Sequence, residues 1–189
     1  MSPTPHPRPR RSIRRAAALV LLTALALSGC GDHDSRVMPA APPSPGKWSG
    51  LAAKCPTLAS PTAKTLGVAG AGRPTPEYAT YGHDLVADCA WGSPDGTATT
   101  AAMRLNVWHE PDAATAQWQV LSAGDTAEVA GVGDEATVVL APPGVTVLAR
   151  SANAVITVKL TSPKAGADKL PQLQPQALEL TVEMLKSLR

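Results

Sequence analysis

Three cysteines are the residues of this 189-residue chain with the widest choice of chemistry, since a thiol can be acylated, oxidised or bound to a metal. Cys30 closes the stretch Leu27-Ser28-Gly29-Cys30. This ends an apolar run that begins near Ala16 and follows Arg10, Arg11, Arg14 and Arg15. The stretch has the form of a bacterial lipobox, in which the thiol receives a diacylglyceryl group and the chain is cut just before it. A basic segment without acids, a short apolar stretch and small residues at the cut are the three parts of a secretory signal. The rival reading is an uncleaved membrane anchor. A spanning helix needs roughly 18 or more apolar residues, and Gly31, Asp32, His33 and Asp34 end the run short of that. The expectation is a signal peptide over 1–29, lipidation at Cys30, and attachment to the extracellular face of a cell membrane through two acyl chains, which hold where one does not.

With Cys30 acylated, Cys55 and Cys89 remain as a pair in an oxidising compartment, where a disulfide is the default. Two free buried thiols are one alternative, and a metal site is another. A metal would need further Cys or His ligands at close spacing, and neither His83 nor His109 stands at such a spacing from a cysteine. No metal and no cofactor is therefore expected. Asp134 and Glu135 are adjacent, so in a strand they would point to opposite faces and could not cooperate as acid and base. His109-Glu110 could orient a base, although such residues more often flank a helix. No serine has a nucleophile-elbow context, and Gly70-Ala71-Gly72 lacks the residues of a phosphate loop. No catalytic residue is assigned.

Charge narrows the partners. The whole chain carries 17 Lys and Arg against 15 Asp and Glu, a net of +2. Five arginines leave with the signal, so 12 basic residues face 15 acidic ones in the mature chain, a net of −3. The excess positive charge lies in the part removed, which argues against nucleic-acid binding.

The elements that would position these residues follow from periodicity and turn chemistry. Residues 30–47 hold the lipidated cysteine and a Pro-rich flexible tether. Residues 48–189 are the size of one domain. Ser60-Pro61 opens a short helix to Leu66 with Gly67 after it, and 68 to 83 look like a loop. Leu85, Ala87, Cys89 and Trp91 alternate on one face of a strand, and Met103, Leu105 and Val107 on one face of the next. Pro111-Asp112 opens a helix carrying Ala114, Trp118 and Leu121. Three strands follow, at about 135 to 140, 145 to 150 and 154 to 160, joined by connections too short for parallel crossovers. A closing helix runs from about Pro175 to Leu188. The predicted fold is α+β: an antiparallel sheet of about five strands covered on one face by helices. By alternation Trp108 shares a face with Arg104 and Asn106, opposite the inward residues of its strand. That makes the three a candidate contact for a ligand or partner, with packing under a helix as the competing role for Trp108.

Several of these features together resemble a family. They are the lipobox and spacer, Cys55-Pro56 leading to Leu66-Gly67, Cys89-Ala90-Trp91, the turn Gly131 to Ala136, the strand Asn153 to Val158 and the closing amphipathic helix. In this order they look like the small actinobacterial lipoproteins of unknown function, which are similar to extracellular sensor domains of mycobacterial receptor kinases. The resemblance implies an α+β domain outside the membrane with a Cys55–Cys89 disulfide, and it transfers no activity. The expectation is a non-catalytic binding, sensor or accessory module for an unknown protein, glycan or small molecule. The alternative is a cell-envelope hydrolase with an unrecognised active site.

Overall fold

The computed structural model describes residues 46–75, 79–124 and 126–189. The signal peptide, Cys30 and most of the tether lie outside them. No helix among the described residues is long and apolar enough to cross a membrane.

The elements in chain order are β1 (Thr57–Leu58), α1 (Pro61–Leu66), β2 (Gly70–Ala71), β3 (Arg73–Pro74), β4 (Ala79–Tyr81), β5 (Asp84–Trp91) and β6 (Thr100–Val107). They continue with α2 (Pro111–Leu121), β7 (Ala127–Glu128), β8 (Glu135–Ala141), β9 (Gly144–Ser151), β10 (Ala154–Thr161) and α3 (Leu170–Leu185). The main sheet is open and antiparallel, in the order β3-β5-β6-β10-β9-β8-β7, with β4 also paired to β5. The fold is thus the α+β class that periodicity predicts, and its five long strands are the predicted ones. The sheet is wider than predicted because three short strands, β3, β4 and β7, extend it at the margins. Two of them lie in the stretch expected to be loop. Strands of two or three residues are fixed by a partner edge, here that of β5, and leave no alternation of their own to see.

One face of the sheet carries the main core. Cys89 and Trp91 of β5, Met103 and Leu105 of β6, Ile156 and Val158 of β10, and Val145 and Val147 of β9 are buried together with Ala177, Leu180 and Met184 of α3. α3 begins at Leu170, five residues earlier than the sequence suggests. Pro171 supplies the favourable first-turn proline, and Pro175 is tolerated one turn further in. α1 packs on the same side: its N-cap Ser60 hydroxyl accepts from the Ala63 N–H (3.1 Å), and Glu183 of α3 accepts from the Ala59 and Ser60 N–H groups (2.6 and 3.0 Å). α2 lies on the opposite face, where Ala114 and Trp118 cover Leu148 of β9 and Val155 of β10. Its apolar residues answer the second side chain of each register pair, which alternation points away from α3.

Cys55 and Cys89 form a disulfide, S–S 1.99 Å with Cα atoms 5.9 Å apart, on the buried face of β5. Beside it Gly72 lies against the Trp91 ring, where any side chain would collide with the indole and with Cys55. The Trp91 Nε1–H donates to the Pro56 carbonyl (3.3 Å), which ties the same segment down a second time.

The two ends of the described chain meet. The Ser49 and Gly50 N–H groups donate to the Arg189 carbonyl (2.7 and 3.3 Å), the Arg189 N–H donates to Gly50 (3.1 Å), and Leu51 bridges Leu188. Just before this clamp, Asn153 at the β9–β10 turn holds the incoming chain. Its Oδ1 accepts from the Trp48 N–H (2.8 Å), and its Nδ2 donates to the carbonyls of Trp48 (2.7 Å) and Trp108.

Candidate functional site

The sequence-derived patch lies along one strand as alternation requires. Arg104, Asn106 and Trp108 follow one another on the same side of β6 and its end, but they do not form one open surface. Arg104 is engaged with Asp88 across the β5–β6 pair, its Nη2 2.7 Å from Oδ2 and its Nε 3.0 Å from Oδ1. Burial pushes the Asp88 carboxyl above the ordinary value even with this guanidinium beside it. Asn106 is half-buried between Val86 and Val155, its register partners on the neighbouring strands. Trp108 is half-buried against the cluster formed by Ala114, Trp118, Leu148 and Val155. Trp108→Ala is accordingly expected to cost about 2 to 3 kcal/mol, somewhat under the range for a fully buried aromatic. Thermal unfolding followed by circular dichroism would check it.

The end of this strand brings together residues far apart in sequence. Asp84 Oδ1 accepts from the His109 N–H (2.7 Å), and the His83 and His109 rings lie 5.1 Å apart between centroids. With Trp108, Glu110 and Ala113 they line a small cavity of about 210 Å³. Glu110 holds the N-cap position of α2 without a side-chain capping bond. Among the described residues no group of three or more His, Cys, Asp or Glu is placed to hold a metal ion.

The acids of the Gly131 to Ala136 turn are arranged differently from the sequence expectation. Asp134 precedes β8 and is outside the pleat, so alternation does not separate it from Glu135. Both reach Arg150 of β9: Nε is 2.6 Å from Glu135 Oε2, and Nη1 is 3.9 Å from Asp134 Oδ2. Asp134 also accepts from the Ala152 N–H (2.6 Å), so it braces the β9–β10 turn. Gly133 must be glycine here, with φ +65° and the Arg150 carbonyl against the position of a side chain. The role of Arg150 has no local sequence signal, because it depends on strand register 15 residues away.

Above these acids lies a cavity of about 740 Å³, between the C-terminal half of α2 and the β7–β8 margin of the sheet. Volumes of this order are typical of small-molecule sites. Trp118 of α2, Ser122 at its C-cap, Thr126, Glu128 of β7, and Glu135 and Thr137 of β8 are among its walls. Thr137 is 4% exposed, and its Oγ1 is a buried oxygen without a hydrogen-bond partner. Buried hydroxyls are ordinarily paired. Thr126 and Thr137 also line an adjoining apolar pocket of about 140 Å³ with Leu121, Val139 and Leu148. The two cavities form one groove. Sequence reasoning missed it because its walls come from a helix, the loops beside it and four strands, and a threonine in a strand carries no mark of an unpaired hydroxyl.

Fold and groove together define a small disulfide-bonded α+β domain with a ligand-sized recess at the helix-covered margin of an open sheet. No family model, no curated protein and no solved structure matches the chain.

Proposed function

We propose that this chain is a lipoprotein anchored through Cys30 at the extracellular face of a cell membrane, and that its domain binds a ligand or partner as a sensor or accessory module without catalysing a reaction. The observation that carries the binding role is the groove of about 740 Å³ with the unpaired Thr137 hydroxyl in its wall. The acids beside it support binding over catalysis. Glu135 accepts from Arg150, and Asp134 lies beside Arg150 and accepts from the Ala152 N–H, so both are already engaged as acceptors with no acid or base among the described residues placed to exchange a proton with them. The anchoring half rests on the lipobox and on the Cys55–Cys89 disulfide, a bond suited to an oxidising compartment. The likeness to small actinobacterial lipoproteins belongs to this proposal and is carried by motif order alone.

Two measurements test it. Cells expressing the wild-type chain and Cys30→Ala are grown with a fatty-acid analogue and fractionated. The wild type is expected to be labelled and membrane-bound, and the variant unlabelled and soluble. Equal labelling of both would end the anchoring proposal. The purified protein is expected to turn over no envelope glycan, peptide or ester. Turnover abolished by replacing a single acid or serine would establish the hydrolase instead.

A further inference from the structure

The groove has ends of opposite chemistry, and its ligand can be narrowed on that ground. At one end three carboxylates, Glu128, Asp134 and Glu135, line the cavity, and a single guanidinium, that of Arg150, pairs with the last two. This end is net negative and favours a cation. The carboxylates are spread along the wall, and no group among the described residues converges as a metal site does, so the charge suits an organic cation with several N–H donors better than a metal ion. At the other end Leu121, Val139, Leu148 and the methyls of Thr146 and Thr157 enclose the apolar pocket of about 140 Å³. A sugar placed there would strand its hydroxyls against methyl groups. Between the ends lies Thr137, whose buried hydroxyl has no partner and can accept from a donor in the groove.

We infer that the groove binds an alkylammonium ion, with the protonated amine at the acidic end, donating also to Thr137, and the aliphatic chain in the apolar end. This rests on the binding role proposed above and gives that role a ligand class. Trp118, 8% exposed, forms part of the wall and offers its ring to the cation or the methylenes next to it. A free aliphatic amine and the side chain of a lysine in a peptide carry the same head and stem.

The test is calorimetric titration of the mature chain from residue 30, carrying Cys30→Ser so that it is free of lipid. The probes are n-butylamine, n-hexylamine, n-hexanol, hexanoate, calcium ion and an N-acetyl-lysine amide. Hexylamine is expected to bind at least tenfold more tightly than hexanol or hexanoate. The gain from butylamine to hexylamine is expected to be about fourfold per methylene, the equivalent of about 0.8 kcal/mol each. Tighter binding of the lysine amide than of hexylamine would identify a peptide source, and the reverse a free amine; either supports the alkylammonium class. Glu128→Gln and Thr137→Val are each expected to weaken hexylamine binding at least fivefold with the melting temperature kept or raised. Equal binding of hexanol and hexylamine, displacement of the amine by calcium, affinity unchanged in both variants, or no amine binding at all would each overturn the inference. None of these results involves turnover or labelling of Cys30, so the broader proposal stands or falls separately.

Discussion

Asn153→Ala is expected to lower the stability of the domain by about 3 to 5 kcal/mol, a loss of the size reserved for broken buried networks. Asn153 is fully buried, and its amide makes three bonds to backbone groups of Trp48 and Trp108, 105 and 45 residues away in sequence. Alanine would leave one N–H and two carbonyls without partners. Thermal unfolding should show a fall in melting temperature of roughly 10 °C. Asn153→Asp separates hydrogen bonding from packing, because it keeps the acceptor and the volume but turns an oxygen towards two carbonyls. Its carboxyl would then be held above the ordinary value of about 4 in the folded state. The proton therefore binds more tightly to the folded chain, so the variant should gain stability as pH falls towards that value and lose it as pH rises. A variant as stable as wild type at neutral pH would show that the network matters little.

Loss of the Cys55–Cys89 bond should cost a comparable amount. The bond closes a loop with a sequence separation of 34, and the chain-entropy relation gives about 4 kcal/mol for such a length. Replacing both cysteines with alanine, or reducing the wild type, should shift the guanidinium midpoint by the same amount. The damage should concentrate between Leu51 and Thr75. That segment carries α1 and the β1–β2 ribbon, and on its far side it is tied to the sheet by the Trp91–Pro56 bond and by β3. Hydrogen exchange should therefore rise there first, while β6, β9 and β10 remain protected. Uniform exchange across the chain would mean that the bond supports the fold as a whole.

The contrast between these sites explains how far the sequence could be read. The five long strands are legible because each carries its own alternation and is bounded by Pro, Gly or Asn turns, such as Pro142-Pro143-Gly144 between β8 and β9. The disulfide is legible because reading Cys30 as a lipobox cysteine leaves two others to pair. Asn153 is visible only as a turn residue, since the three groups it binds belong to segments that meet it after folding. The groove is hidden for the same reason: Leu121 looks like one more apolar position of α2, and Thr137 like a solvent-side residue of β8. The placement of α2 on the face opposite α3 shows the limit from another side. Periodicity gives a helix its apolar stripe, but which side of the sheet that stripe covers is decided by the hand and length of the connection.

The clamp between Trp48, Asn153 and Arg189 also sets a path for mechanical load. In a chain anchored at Cys30, a pull along the tether would arrive at Gly46, whose N–H bonds the His109 carbonyl (2.9 Å), and would then meet the Asn153 amide at the turn between β9 and β10. Those strands are interior to the sheet, flanked by β6 and β8. The load would enter through the middle of the sheet and leave its margins unpeeled, so the β7–β8 margin that borders the groove would keep its shape while the domain is dragged at the membrane.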